Sequence, residues 1–327
     1  MIRSYVFAEG KLAGQEIDPD ALRLVRGDKG LYLWVDLDDP TEEESRQILE
    51  NVFGFHPLAI EDCLAVSHMP KIEEYDNYLF IVMHAVDFNR KDSFHSTELD
   101  LFIGKDFIVT HHTHPLRSID TIRDRVSKSG IPAFKAMDKL SYNILSTLVD
   151  NYQPVMDELG KAVMELEDMI FSSSYPSEPA HEIMHEFRTI RNQVNKLRQI
   201  IRPQREVISR IAHGEFKIIR PPLIPYYRDI YDELSRIDEV GHALNDQLFL
   251  SFDVFLNRAA NETNEVIKLL TLLTAITTPS MLIGTWYGMN FEPMPELKWK
   301  YGYEAAALTT IVSTVALMLW LRWKKWL

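Results

Sequence analysis

Two uncharged segments near the C-terminal end restrict the fold more than any other feature of the sequence. The first has 23 residues, from 269 to 291, and the second has 17, from 305 to 321. About 20 helical residues cross the roughly 30 Å apolar core of a bilayer. The second segment is flanked by aromatic residues that favour the membrane interface, namely Tyr301, Tyr303, Trp320 and Trp323. We therefore predict a hairpin of transmembrane helices at 269–290 and 305–321. A buried core helix is the alternative for the second segment.

Charge is divided unevenly along the chain. Residues 267–327 carry six Lys or Arg and three acids, a net charge of +3, whereas the first 266 residues carry 29 Lys or Arg and 45 acids, a net charge of -16. The basic end at 322–327 and Lys268 place both ends of the hairpin in the cytoplasm, with loop 291–304 outside. We thus predict a multi-pass protein of the cell (inner or plasma) membrane with cytoplasmic termini. The acidic body is compatible with cations and argues against nucleic acid, whose phosphates need clustered Lys and Arg.

The cytoplasmic part shows two kinds of pattern. Strand-like patterns at 5–12, 31–37, 77–88 and 98–112 alternate with helical patterns at 41–53 and 116–128. Thr41 followed by Glu44 predicts a capping box at a helix start. Further along, 137–171 and 181–212 each have the pattern of one long amphipathic helix. The fold class is therefore mixed α+β: an α/β domain at 1–130, antiparallel helices at 131–221 and a stalk helix at 222–268.

The stalk helix is predicted to continue into the membrane. From Tyr226 to Thr278 the sequence has no proline and one glycine, Gly241. A helix of that length would span roughly 80 Å. Apolar residues recur every three or four positions along it, and Gly241 occupies the place of a missing one: Ile230, Leu234, Ile237, Leu244, Leu248, Phe252 and Phe255. This coiled-coil-like spacing favours one unbroken helix from the acidic body into the first span.

The first span carries a polar face that a simple lipid anchor does not need. Asn264, Thr271, Thr274, Thr278 and Thr285 follow steps of seven, three, four and seven, which place them on one side of a helix. Two interpretations remain open: the hydroxyls bond other helices or their own backbone, or they line water. Asp246 and Asp253 share this face, either as acids at a pore entrance or as an ordinary solvated surface. Two helices cannot enclose a pore, so conduction requires several chains around an axis.

Simpler structural roles are expected for the other residues that could bind a metal or take part in catalysis. The sequence has no P-loop, dinucleotide-binding, H-E-x-x-H or paired C-x-x-C motif, so we do not expect an enzyme. His112 and His114 are a candidate metal pair, but a solvated strand edge is the favoured reading for them and for His111. Cys63, the single cysteine, is expected to be a core thiol. An acidic run is expected to be a solvated helix face: Glu165, Glu167 and Asp168.

The end of the first span carries a family signature. Tyr287-Gly288-Met289-Asn290 is followed by Met294-Pro295-Glu296-Leu297, a second span and a basic terminus. Together with Asn264-Glu265-Val266 before the span and His56-Pro57-Leu58, Glu61-Asp62 and Pro70-Lys71 in the body, this arrangement closely resembles the CorA family of divalent-cation channels. The resemblance covers essentially the whole chain. It implies a funnel-shaped homopentamer in membrane lipid that takes up Mg²⁺, with Co²⁺ or Ni²⁺ tolerated.

The resemblance also implies site residues. It places Gly288, Met289 and Asn290 in a selectivity filter. It places a further set on the pore lining: Asn264, Ile267, Leu270, Thr278 and Met281. Thr271 and Thr274 join this predicted lining because they share the polar face. Thr278 and Met281 stand in the reverse order to the family member that aligns best. Asp229 falls on a regulatory carboxylate that binds cytoplasmic Mg²⁺. Its acidic partner aligns with Asn89, so the partner is Asp87 or Asp92.

Two other functions stay open at this point. A membrane-tethered scaffold or sensor would use the hairpin only as an anchor, and the polar first span argues against it. A Zn²⁺ transporter of the same superfamily is the other alternative. Such relatives tend to lack Met in the triplet, whereas Met289 is present here.

Overall fold

The structure is a computed structural model that describes residues 1–9, 11–26, 28, 30–65, 69–89, 93–128, 137–172, 180–290, 294 and 298–324. The chain separates into two compact units, Met1–Leu250 and Ser251–Leu327. The first unit holds a mixed sheet covered by helices, and the second holds two long apolar helical stretches. The predicted fold class, an α/β domain followed by helices and an apolar C-terminal pair, is confirmed.

The sheet contains seven strands among the described residues. They are β1 (Ile2–Ala8), β2 (Lys11–Gln15), β3 (Leu31–Asp38), β4 (Lys71–Glu74), β5 (Tyr78–Asn89), β6 (Ser93–Gly104) and β7 (Phe107–His112), in the order β2-β1-β3-β7-β6-β5-β4. Strands β3 and β7 are parallel, and the other neighbours are antiparallel. The stretch 5–12, predicted as one strand, is divided between two antiparallel strands, since β1 ends at Ala8 and β2 begins at Lys11. Glu9, just after β1, adopts φ 51°.

Helices cover both faces of the sheet. They are α1 (Pro19–Val25), α2 (Glu42–Arg46, continued by a π-helical turn at Gln47–Val52), α3 (Pro57–Leu64), α4 (Arg117–Lys128), α5 (Met137–Asp150), α6 (Tyr152–Ser172) and α7 (Ala180–Ala212). Residues of α1, α3 and the π-helical turn share one core with alternate residues of the strands, such as Val35, Phe102 and Val109. Helices α5, α6 and α7 pack on the other face. The predicted capping box is present, since Thr41 and Glu44 bond each other's backbone N–H groups.

The segment 137–171 was predicted as one helix, and the structure divides it. Helix α5 ends at Asp150 and α6 begins at Tyr152. Pro154 explains the break, because a proline at this point cannot donate to the Asp150 carbonyl and its ring would clash there. At the third position of a new helix the missing N–H has no cost.

The long helix is present as predicted and extends further. Helix α8 runs from Ile224 to Tyr287, 64 residues, through Pro279. At 1.5 Å per residue it is roughly 96 Å long. The seam residues of its first half are buried, including Ile230, Leu234 and Ile237. Because these residues form one buried face of α8, the three-and-four spacing of apolar residues predicted the helix correctly.

Two helical stretches, Pro221–Tyr287 and α9 (Gly302–Trp323), are long and apolar enough to cross a membrane. In an apolar 18-residue window of each stretch, the buried share is 0% for the first stretch and 6% for α9. A core helix of a soluble protein would be mostly covered. Among the described residues these two windows lack such cover, which argues against the core-helix alternative for the second segment.

Candidate cation pathway

The Gly-Met-Asn triplet follows directly on the end of α8. The Gly288 N–H donates to the Gly284 carbonyl at 3.0 Å, and the Met289 N–H donates to the Trp286 carbonyl at 3.4 Å. A Cβ atom placed on Gly288 would lie 3.0 Å from the Gly284 oxygen. The tight closing turn therefore uses the absence of a side chain. Asn290 is exposed just beyond this turn.

The threonine hydroxyls of the first span donate to their own helix. Thr271 donates to the Ile267 carbonyl at 2.8 Å and Thr274 to the Leu270 carbonyl at 2.8 Å. Thr278 donates to the Thr274 carbonyl at 2.6 Å, and Thr285 donates to the Met281 carbonyl. Each hydroxyl proton is thus used within the helix, while the oxygen keeps lone pairs for an outside donor. Of the two interpretations left open, backbone bonding is observed, and it does not exclude contact with water.

Apolar residues of the same stretch are largely exposed in the single chain. Ile267 is 54% exposed, Leu270 63% and Met281 71%. Large exposed apolar surfaces that recur along a helix indicate contact with lipid or with other chains. Asn264 is exposed as well, and so are Asp246 and Asp253.

Asp229 lies in an acidic group that the sequence did not reveal. It is exposed in the second turn of α8. Desolvation raises the pKa of Asp150, at the end of α5, and the charges of Glu233 and Asp229 raise it further against the opposing effect of Arg125. Glu233 and Asp229 therefore both repel the Asp150 carboxylate. The side chain of Asp87 and all of Asp92, the two predicted partners, lie outside the described residues.

A sequence profile of the CorA-like Mg²⁺ transporter proteins matches residues 29–325. The chain belongs to this family. The match includes the sheet domain from β3 onward, the long helix and the second apolar helix, so family membership is a property of the whole architecture and not of the short Gly-Met-Asn signature alone.

Two relatives of this CorA-family chain agree over nearly its full length. The putative metal ion transporter YfjQ of Bacillus subtilis is 32% identical over 295 residues, covering 90% of each chain. The cobalt/magnesium transport protein CorA of Thermotoga maritima is 30% identical over 302 residues, covering 92% of this chain and 85% of its own. The CorA magnesium transporter structure from Methanocaldococcus jannaschii has the same fold, with a TM-score of 0.81 at 19% identity over 99% of this chain and 98% of its own.

The histidines of β7 do not lie at a solvated edge, and this expectation is wrong. His111 and His112 are 5% and 2% exposed. They point to opposite faces of the sheet, as neighbours on a strand must. His112 Nε2 lies 3.2 Å from Asp36 Oδ1 and its Nδ1 lies 2.8 Å from the His114 carbonyl, so the candidate His112–His114 metal pair does not form. His111 instead lies 3.2 Å from Asp100.

Two simpler expectations can also be compared with the structure of this CorA-family chain. Cys63 is buried, as expected for a core thiol. In the acidic run on α6, Glu165 and Asp168 are exposed. Glu167 departs from the expectation, because it accepts a 2.6 Å hydrogen bond from Gln247 of α8.

Sequence reasoning missed Asp100 and Asp150. Asp100 is the direct cross-strand partner of His111. The observed turn is at Lys105-Asp106, one residue beyond the predicted Gly104-Lys105. Counting back from the predicted turn would have paired Asp100 with Val109 instead of His111. Asp229 and Glu233 are four residues apart on α8, so the sequence alone places them on one helix face. Asp150 approaches them only through the packing of α5 beside α8, for which a single sequence offers no signal.

Proposed function

We propose that this chain forms a homopentameric channel for Mg²⁺, with Co²⁺ or Ni²⁺ as further substrates, in the cell membrane with both termini cytoplasmic. The main support for this proposal is that the polar face of α8 leads to an exposed amide at Asn290, in a chain of the CorA-like family. The names of relatives such as the cobalt/magnesium transport protein CorA support this choice of ions. A ring of copies supplies the enclosure that one hairpin lacks.

The filter would use the amide oxygens of Asn290. Mg²⁺ holds its water molecules tightly and loses them reluctantly. A ring of neutral amide oxygens accepts hydrogen bonds from those waters, so the ion need not be dehydrated. Carboxylates at this point would hold the ion too strongly for rapid release.

The threonine face would support the same hydrated ion below the filter. The outer atoms of a hydrated cation are water hydrogens, which need acceptors. Thr271, Thr274 and Thr278 donate inward to backbone carbonyls and leave only lone pairs facing outward. Exposed Asp246 and Asp253 on the same face would raise the local cation concentration.

Regulation would use Asp229. An acidic group at Asp229, Asp150 and Glu233, in a body of net charge -16 per chain, repels itself unless a cation is bound. Bound Mg²⁺ would relieve that repulsion and hold the subunits in a closed arrangement. A carboxylate of the sheet domain, Asp87 or Asp92, is the proposed partner. A full cell would thereby close the channel.

The test is ion flux into liposomes that contain the purified protein and a Mg²⁺-sensitive dye. A channel admits Mg²⁺ with a rate that follows an imposed inside-negative potential. A scaffold or sensor admits none. A Zn²⁺ transporter of the same superfamily gives a Zn²⁺ signal that excess Mg²⁺ does not reduce, and this outcome would replace the proposal.

A further inference from the structure

Three metal-binding side chains meet inside the sheet domain, far along the chain from the filter signature. Cys63 comes from α3, Asp100 from β6 and His111 from β7. One ligand atom of each lies within 4.8 Å of the others. The residues are 4%, 2% and 5% exposed. Asp100 and His111 face each other directly in the β6–β7 register, with Oδ2 and Nδ1 3.2 Å apart.

A hydrogen-bonded core cluster is the simpler interpretation, but it leaves one atom unexplained. Asp100 Oδ1 is buried and has no hydrogen-bond partner in the part of the chain that the structure describes. A buried carboxylate oxygen without a partner has lost its water and gained nothing in exchange, which is unfavourable. Within the described residues, the ion-pair partner of Asp100 is His111, which is charged only when it is protonated. A bound metal ion would satisfy the carboxylate.

A cavity gives access to this cluster. It has a volume of about 490 Å³, and Cys63, Asp100 and His111 are on its wall. Its rim includes the exposed residues Glu42 and His114. An ion can therefore enter from solvent, and there is room for a water molecule on the ion.

We propose that Cys63, Asp100 and His111 bind one divalent transition-metal ion, Zn²⁺ or Co²⁺, with a fourth position open to the cavity. A thiolate, an imidazole and a carboxylate are the ligand types that these ions take, in tetrahedral geometry. Mg²⁺ takes oxygen ligands in octahedral geometry and keeps several waters. The site therefore selects against Mg²⁺, the main proposed cargo, and it stands independently of the proposed function.

The free site holds its thiol in the neutral form. Burial raises the pKa of Cys63 well above its ordinary value, and the charge and hydrogen bond of Asp100 and the charges of Glu98 and Asp62 raise it further. A metal ion binds the thiolate, so it must displace this proton. The ion replaces the proton as the positive charge beside Asp100.

The single cysteine makes the test specific. Co²⁺ is added to the purified full-length protein, and the thiolate-to-cobalt charge-transfer absorption is recorded. Because the 327 residues contain one cysteine, any such band reports Cys63. The wild type should show the band at about one equivalent of Co²⁺. Zn²⁺ should remove it, and a large excess of Mg²⁺ should not.

Variants then assign the other two ligands. Cys63→Ser should lose the band, and His111→Gln and Asp100→Asn should weaken Co²⁺ binding at least about tenfold. His114→Gln, at the exposed rim of the cavity, is the matched control and should bind as the wild type does. Unchanged affinity in His111→Gln would overturn the proposal.

A measurement on the wild type protects the test against variants that fail to fold. X-ray absorption of the Zn²⁺-loaded protein should give one sulfur neighbour at about 2.3 Å, together with nitrogen and oxygen neighbours. Zinc surrounded by nitrogen and oxygen alone, or a folded wild type without the cobalt band, would show that no metal binds at Cys63.

Discussion

Gly241 of α8 lies directly beneath the side chain of Arg198 of α7. A Cβ atom at position 241 would lie 2.9 Å from Arg198 Cγ and 3.1 Å from its Cδ. The glycine thus lets Arg198 cross α8 and approach the buried carboxylate of Asp238, at 3.5 Å. Arg205 reaches the same carboxylate at 3.1 Å. Position 241, where the apolar seam lacks a side chain, thus leaves room for the side chain of Arg198.

We predict that Gly241→Ala lowers thermal stability although alanine is the better helix former. The substitution gains about 1 kcal/mol of helix propensity. It also pushes the middle of the Arg198 side chain away and weakens its pairing with Asp238, whose burial makes a lost partner costly. Thermal unfolding in detergent should show a lower midpoint.

Gly160→Ala on α6 is the control for this prediction. A Cβ at Gly160 meets no atom within 4 Å. The propensity gain should therefore appear there, as a stabilisation of up to about 1 kcal/mol. A higher midpoint in Gly241→Ala as well would mean that Arg198 moves aside freely.

The second prediction concerns Gly288 and the turn that closes α8. A Cβ at Gly288 would lie 3.0 Å from the rigid Gly284 backbone oxygen, whereas a Cβ at Gly284 meets nothing within 4 Å of the single chain. Gly288→Ala should shift the turn and reduce Mg²⁺ flux by more than about tenfold. Gly284→Ala should retain flux, unless another chain packs against that glycine. Assembly is checked for both by size-exclusion chromatography.

The third prediction concerns Asn290, the proposed filter amide. Asn290→Ala removes the acceptor for the waters of Mg²⁺ and should lower liposome flux by more than about tenfold while the oligomer remains intact. Lys300→Ala, a charged and exposed position in the same loop region, should change flux far less. Wild-type flux in Asn290→Ala would exclude the amide ring as the selectivity element.

These residues also show which features of the structure the sequence could predict. The Thr41–Glu44 capping box and the apolar seam of α8 depend on local spacing, and both were predicted. Pro154 was a local signal as well, and giving it weight would have predicted the break between α5 and α6. The space for Arg198 above Gly241 and the approach of Asp150 to Asp229 arise from packing between distant segments. No periodicity encodes such contacts. The direction in which threonine hydroxyls donate likewise needed the structure.

The fourth prediction is a pH dependence at His112. Burial lowers the pKa of His112, but the hydrogen bond and charge of Asp36, with the His114 carbonyl and Asp38, raise it more, so its pKa is raised overall. A raised folded-state pKa stabilises the fold fully below the unfolded value, about pH 6.5, and this stabilisation is lost as pH rises through the folded value. The difference in unfolding midpoint between wild type and His112→Gln should therefore be larger in mildly acidic buffer than in alkaline buffer. His114→Gln, at an exposed position, should show no such trend.

The last prediction concerns the proposed regulatory acid, Asp229. Millimolar Mg²⁺ should slow proteolysis of the wild type, because the bound ion offsets the repulsion among Asp229, Asp150 and Glu233. Asp229→Ala removes a ligand and should lose most of this protection while it still conducts Mg²⁺. Burial and then the charges of Glu233 and Asp229 raise the pKa of Asp150. The variant removes the Asp229 part of this repulsion, so without Mg²⁺ it should resist proteolysis slightly better than the wild type. Glu165→Ala, which replaces an exposed acid on α6, removes the same charge elsewhere and should keep the Mg²⁺ effect.

Equal protection of Asp229→Ala and wild type by Mg²⁺ would place the regulatory ion at another site. Greater resistance of the ion-free variant would still show that the carboxylates repel in the free protein.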